Sequence, residues 1–251
     1  MISHQLTPQQ EQTTLILLRL EASYGVAIPP TARDPLDELI ACILSQSTSD
    51  VNSFRAFANL KSRFPNWEAA AEASIEEVAD SIRSGGLANS KAPRIQAILR
   101  SVAARHGAMN LDFLTGLSDA EGMAYLTALP GVGPKTAAIV LCFALGRPVL
   151  PVDTHVFRVA WRLGLIEKKI GEAKAHSVLQ AQLQPELSFR FHVAFLTHGR
   201  RVCKAPLPRC GVCTLTDLCR YYKENGAPQA SIPSDEEKTQ GANRKRSQKQ
   251  E

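Results

Sequence analysis

The chain has 251 residues, 44% of them apolar, with 29 Lys and Arg against 24 Asp and Glu for a net charge of +5, and six cysteines. That length and apolar content suffice to bury one large core or two smaller ones, and they exclude a disordered chain, a collagen-like fibre and a disulfide-stapled mini-protein. No apolar run approaches the ~18 residues that a bilayer span needs, and Met1-Ile2-Ser3-His4-Gln5-Leu6 lacks the basic-then-apolar order of a secretory signal, so a soluble intracellular protein is expected.

In chain order, residues 1–12 are Gln-rich and polar and read as a disordered tail. Leu36, Leu39, Ile40, Ile43 and Leu44 recur with the spacing of an amphipathic helix, and Val51, Phe54, Phe57, Ala58 and Leu60 predict a second. Ser74-Ile75-Glu76-Glu77 and Ser118-Asp119-Ala120-Glu121 are capping boxes, each opening a short helix. Glycine and proline punctuate the chain at short intervals, and no alternating strand of useful length occurs, so the class is all-α. Residues 226–251, ending Asn243-Arg244-Lys245-Arg246, have almost no apolar content and read as a second disordered tail.

The charge matters more for its distribution than for its total. Residues 81–111 contain Arg83, Lys91, Arg94, Arg100 and Arg105 with no Asp or Glu, and residues 187–216 contain Arg190, Arg200, Arg201, Lys204 and Arg209, again with none. Between Gly122 and Ile166 the only carboxylate is Asp153. A surface facing a polyanion needs such acid-free stretches, because one misplaced carboxylate repels a phosphate as strongly as a lysine attracts it; a solvated basic face is the other reading.

Four cysteines fall close together as Cys203-x6-Cys210-x2-Cys213-x5-Cys219. Four soft thiolates so placed can converge on one centre without a long loop to close, and either zinc or an iron-sulfur cluster fits ligands of this kind. Disulfides are the poorer reading in a reducing compartment. Cys42 and Cys142 sit inside apolar helical runs and read as buried small hydrophobes.

The segment Leu129-Pro130-Gly131-Val132-Gly133-Pro134-Lys135-Thr136 separates two helical stretches. Its glycines permit a tight turn, Pro134 suits the first position of a helix, and backbone N–H groups at a helix start can hold a phosphate. Neither a Walker loop nor a dinucleotide fingerprint fits the spacing. Lys135 falls in the first turn of the following helix, where the dipole favours the free amine that a nucleophile needs. Asp153, after Pro151, sits where a helix begins and suits either an N-cap or a carboxylate that stabilises positive charge growing at a sugar C1′.

Taken together and in this order, the hairpin, the segment Val152-Asp153-Thr154-His155-Val156-Phe157-Arg158 and the cysteine set resemble the endonuclease III family of helix-hairpin-helix DNA glycosylases. The resemblance extends to Leu44-Ser45-Gln46-Ser47-Thr48-Ser49-Asp50 and to Gly86-Leu87-Ala88-Asn89-Ser90-Lys91, and so covers roughly residues 36–223. It implies two helical domains: a six-helix domain with the hairpin over residues 34–147, and an iron-sulfur domain from residues 13–33 plus 148–225. It implies a 4Fe-4S cluster on Cys203, Cys210, Cys213 and Cys219. Lys135 would attack C1′ and Asp153 would serve glycosylase chemistry. Gln46, Ser47, Leu87, Asn89, Lys91, Gly131, Val132, Gly133, Thr136, His155, Lys204 and Arg209 would contact DNA, with Leu87 as a wedge in the base stack.

The activity implied is excision of oxidised pyrimidines from double-stranded DNA, followed by cleavage at the abasic site through a lysine Schiff base, by a monomer located in the cytoplasm, or on the nucleoid if bacterial. Two departures stand out. Pro134 occupies the place where the family commonly has Arg or Lys, and the family's void-filling glutamine falls at Ser47, with Gln46 beside it. A monofunctional mismatch glycosylase for adenine or thymine usually lacks a lysine at this position, and the adenine enzymes carry a further C-terminal domain for which the residues after Cys219 leave little room. A non-catalytic iron-sulfur DNA-binding protein is the remaining reading.

Overall fold

The computed structural model describes residues 5–29 and 33–226, and these contain helices and no strand. Residues 227–251 of the expected C-terminal tail lie outside the described residues. At the other end residues 1–4 of the expected tail also lie outside the described residues, and the expectation of disorder fails from Thr7 to Gln12. Helix α1 (Pro8–Tyr24) begins at Pro8, with Thr7 and Gln10 closing a capping box and Thr13, Ile16, Leu17 and Leu20 buried. Local cap chemistry starts this helix on a polar turn whose composition conceals it.

Helices α2 (Pro35–Ser45) and α3 (Asp50–Arg63) are capped by the side chains of Asp34 and Ser49. The stripe on α2 is fully buried, and sequestering each Leu or Ile there contributes ~1.5–3 kcal/mol. On α3 the buried face is instead Ser53, Ala56 and Leu60, and Val51 and Phe54, read as part of the apolar stripe, are 68% and 72% exposed. Ala56 faces Gly85, where a Cβ would come within 2.9 Å of the alanine's own, so this side of α3 must stay small.

Helices α4 (Trp67–Glu72) and α5 (Ile75–Ser81) follow, the second opened by the Ser74–Glu77 capping box. After α6 (Ala88–His106) and α7 (Asp119–Thr127), which opens on the Ser118–Glu121 box, comes α8 (Pro134–Ile139), prolonged by a π turn over Val140–Ala144. Residues 34–147 thus hold seven α-helices where six are expected, because the box at Ser74 starts a new helix directly after α4 ends. The rest are α9 (Thr154–Leu163), α10 (Gly171–Gln180), α11 (Ser188–Arg201) and α12 (Arg220–Asn225).

Two apolar cores organise these helices. One draws on α2 through α8, from Leu36 to Leu141. The other joins Ile16, Leu17 and Leu20 of α1 to residues between Leu150 and Leu215. Inside the second, Arg190 of α11 grips the 5%-exposed Glu21 of α1 through two hydrogen bonds of 2.7 and 2.6 Å, so the buried carboxylate is fully compensated. Phe143 of the π turn packs on Phe189 and His192 with ring centroids 4.8 and 5.5 Å away, and Arg200 of α11 pairs with Asp50 of α3 at 2.7 Å. These contacts bring the hairpin end of the first core against α11 of the second.

Candidate active site and cysteine loop

The hairpin lies between α7 and α8. Gly131 adopts φ +72°, a conformation that favours glycine, and a Cβ there would stand 2.5 Å from Cδ of Arg94 and displace that side chain. Val132 turns its side chain into the first core, 6% exposed, and its N–H donates to the Leu129 carbonyl at 3.2 Å. Gly133 caps α8 without a side chain, Pro134 takes the first helical position, and Thr136 is 6% exposed. Lys135, between them, is exposed to solvent.

Asp153 is the N-cap of α9: its Oδ1 accepts from the Val156 N–H at 2.7 Å, which orients the carboxylate at the surface end of the helix. Beside the larger effect of burial, the His192 ring feels the charges of Asp153 and Lys135, the first raising and the second lowering its pKa. Burial lowers the His192 pKa, and the neutral ring donates from Nδ1 to the Pro151 carbonyl at 2.9 Å, holding the segment that leads into Asp153. His155, half-buried, has its pKa lowered by burial with Asp153 opposing, and its Nδ1 lies 3.0 Å from Nη2 of Arg158. Cys42 also feels the charge of Lys135, but burial first, then Glu38, pushes its thiol up to about 12, so it stays neutral.

Lys91, expected to touch DNA, does not reach the surface. It is 2% exposed, and its ammonium donates to the carbonyls of Leu44 at 2.7 Å and Gly85 at 3.0 Å. The correction has a physical cause: the turns that follow both carbonyls leave those groups without helical partners, and a buried cation satisfies them. The same turns carry Ser47 and Leu87, the two non-glycine residues with positive φ among those described, at 56° and 52°. Such strain persists only where surroundings impose it. Leu87 is 61% exposed, Asn89 is exposed two residues on, and Ser47 is exposed on the other turn. Gln46 is half-buried and accepts from Arg94 Nη1 at 2.9 Å.

In the second core the four thiols of Cys203, Cys210, Cys213 and Cys219 line one cavity with Arg162 and His198. Arg158 Nε donates to the Cys203 carbonyl at 3.0 Å, and Arg162 Nη1 donates to Cys203 Sγ at 3.4 Å and to the Lys204 carbonyl at 2.9 Å. Lys204 and Arg209 stand exposed on this loop. Burial raises the thiols of Cys210, Cys213 and Cys219, Cys213 to about 11. A cationic iron core among them would offset that cost, so an inward-facing set of four sulfurs with a hydrogen-bond donor at its edge fits a cluster. Among the described residues no three His, Cys, Asp or Glu side chains are gathered as ligands of a single ion.

Sequence reasoning passed over Arg94, Arg158, Arg162 and His192. Their signal was present: Arg94 follows Lys91 by three residues on α6, and Arg158 and Arg162 lie one turn apart behind Asp153, spacings that put cations on a helix face turned toward a loop.

The model of the HhH-GPD superfamily of base excision DNA repair proteins matches residues 40–185, a span that includes the hairpin and the helix that opens at Asp153. The chain belongs to the endonuclease III family of base-excision-repair DNA glycosylases. It is 37% identical over 190 residues to endonuclease III of Escherichia coli, a match covering 76% of this chain and 85% of that protein. It is 41% identical over 200 residues to an Arabidopsis thaliana protein that carries the name of a DNA glycosylase, covering 79% of this chain but 62% of that longer relative. A solved structure of a trapped endonuclease III–DNA covalent intermediate superimposes with a TM-score of 0.74 at 29% identity, over 88% of this chain and 99% of the other. No helix among the described residues is long and apolar enough to cross a membrane.

Proposed function

We propose that the protein is a bifunctional DNA glycosylase and abasic-site lyase that removes oxidised pyrimidines from double-stranded DNA. The reading is carried by an exposed Lys135 in the first turn of the hairpin helix together with Asp153 at the N-cap of α9, the only carboxylate between Gly122 and Ile166.

The free amine of Lys135 attacks C1′ as the bond to the base breaks and the base leaves with the bonding electrons. The Asp153 carboxylate stabilises the positive charge that grows on the sugar. Ring opening gives an iminium on Lys135 Nζ, whose electron demand acidifies C2′; loss of a C2′ proton then expels the 3′ phosphate by β-elimination. Leu87, exposed and held in a left-handed conformation, suits the wedge that keeps the nucleotide out of the stack. Gly131, Gly133 and Thr136 would offer hairpin backbone to a phosphate. His155 would stand behind Asp153.

Cys203, Cys210, Cys213 and Cys219 would hold a 4Fe-4S cluster, which supplies a rigid anchor for the loop carrying Lys204 and Arg209. The two cores support a division into residues 34–147 and 13–33 plus 148–225, in a monomer.

Borohydride reduction tests the chemistry. Wild type mixed with duplex DNA containing an abasic site or one oxidised thymine is expected to give a covalent complex. Base release without any trapped complex would instead make the enzyme monofunctional, and DNA binding with neither would remove the catalytic reading.

A further inference from the structure

Helix α6 carries two cations on one face, and each ties together loops from different parts of the first core. Lys91 holds the carbonyls that precede the Ser47 and Leu87 turns. Arg94, three residues on, joins the Ser47 turn to the hairpin: Nη1 donates to Gln46 Oε1 at 2.9 Å, and Cδ, Nε and Cζ would lie 2.5, 2.6 and 3.1 Å from a Cβ on Gly131. The guanidinium and its stem therefore rest directly on the backbone of the left-handed glycine.

A guanidinium has only donors, so the oxygen of the Gln46 amide must be the atom facing it. That contact engages the only acceptor Gln46 has and leaves Nε2, with two N–H donors, directed away from Arg94. The half-buried Gln46 thus has one available orientation, whereas the exposed Ser47 hydroxyl rotates freely. The close approach also accounts for the missing side chain at residue 131, since a larger residue would displace the Arg94 side chain.

We propose that Arg94 is a positioning residue that locks the Gln46 amide to the Gly131 turn, so that the 46–47 turn presents hydrogen-bond donors to an acceptor edge of the base left without its partner. This rests on the glycosylase reading above. It makes recognition of the opposing base depend on a residue that touches no DNA base itself.

The experiment uses full-length protein and duplexes carrying one oxidised thymine opposite each of the four bases, with single-stranded abasic DNA as the substrate that has no opposing base. Arg94→Met, which keeps the stem over Gly131 and deletes the donors, is expected to lower kcat/KM on duplex about tenfold and to change the ratio among opposing bases about fivefold. Borohydride trapping on the single strand should fall by no more than about twofold, since no opposing base is read there. Gln46→Leu should reproduce the altered ratio, the double variant should lose less than the two single losses combined, and Arg94→Lys should recover part of the ratio. Equal losses on duplex and single strand, or additive losses in the double variant, would overturn the proposal and make Arg94 a brace alone. A wild type that excises and traps while Arg94→Met leaves the ratio unchanged overturns this proposal only; a wild type that does neither overturns the glycosylase reading beneath it.

Discussion

The hairpin region of the first core and the cysteine loop of the second both present irregular backbone, and they hold it in opposite ways. Around the hairpin, the residues offered to a ligand point outward and the support lies beneath: Lys91 and Arg94 reach from one helix to Leu44, Gly85, Gln46 and the Gly131 turn. In the cysteine loop the thiols face inward, and Arg158 and Arg162 of α9 take the loop's carbonyls from one side. The first region is complete with protein groups alone, so it can be damaged chemically without being unfolded. If the second holds the proposed cluster, its loop would rely on that group, and structure and ligand chemistry would be harder to separate there.

The sharpest break between chemistry and structure is at Lys135. Because the side chain is exposed and makes no hydrogen bond among the described residues, Lys135→Ala should leave the midpoint of thermal unfolding nearly unchanged, within about 0.5 kcal/mol. The same change should abolish borohydride trapping, a loss of about three orders of magnitude or more. Trapping that survives would place the nucleophile elsewhere. Asp153→Asn comes next in size. Asparagine caps a helix about as well as aspartate, so α9 keeps its start while the negative charge goes. Base release should fall roughly 10²–10³-fold with DNA affinity little changed; a matching loss of affinity would return Asp153 to a purely structural cap.

Lys91 turns the comparison around, because here the hairpin region should fail structurally. Lys91→Met keeps the stem but leaves the Leu44 and Gly85 carbonyls unpaired in a buried place, at a cost of about 2–4 kcal/mol. Chemical denaturation gives the number directly. A variant as stable as wild type would mean that water replaces the ammonium easily.

Lys91 also shows what could be read in advance. The α2 stripe, both capping boxes, the helix starts at Pro134 and Asp153 and the buried state of Cys42 follow from local spacing, which the chain states within one or two turns. Lys91 sits in an acid-free basic run, and composition assigns such a residue to the surface; only the meeting of α2, the Gly85 turn and α6, residues far apart in sequence, shows that two carbonyls need it. The spacing of Arg94 after Lys91 is visible in sequence, but its contacts with Gln46 and the Gly131 turn are not. Val51 and Phe54 failed in the other direction: they have helical spacing, but the narrow approach of Gly85 to Ala56 turns the small face of α3 inward. The start of α1 over residues 8–12 was missed because its cap is made by Thr7 and Gln10 in a stretch whose composition looks like a tail.

The second core should respond more to acid than the first. Burial lowers the pKa of both His192 and His176, and the two rings contact the neighbouring carbonyls of Pro151 and Leu150. In the unfolded chain an imidazole titrates near the ordinary 6.5. As pH falls below that value, the unfolded state takes up protons that the folded state refuses, so stability declines toward the lowered folded values and is level above 6.5. Urea titrations across this range should show the decline in wild type and a shallower one in His192→Gln. Identical slopes would remove His192 from the account.

The smallest effect expected separates the two regions by electrostatics rather than stability. Lys204 and Arg209 are exposed on the cysteine loop, in a stretch without carboxylates, and the backbone around them is fixed by Arg158 and Arg162 rather than by their own side chains. Removing either charge therefore leaves the loop in place while subtracting one cation from its exposed surface. If each neutralises one phosphate, the slope of log affinity against log salt should shrink by about 0.9 per residue removed, and by roughly twice that in Lys204→Ala/Arg209→Ala. The loss should be largest at low salt and fade as salt rises, because screening weakens the interaction that was deleted. Excision per bound complex should change little, since neither charge touches the sugar. A double variant with the wild-type slope would assign Lys204 and Arg209 to a solvated surface, and would leave the hairpin region to carry DNA binding without the cysteine loop.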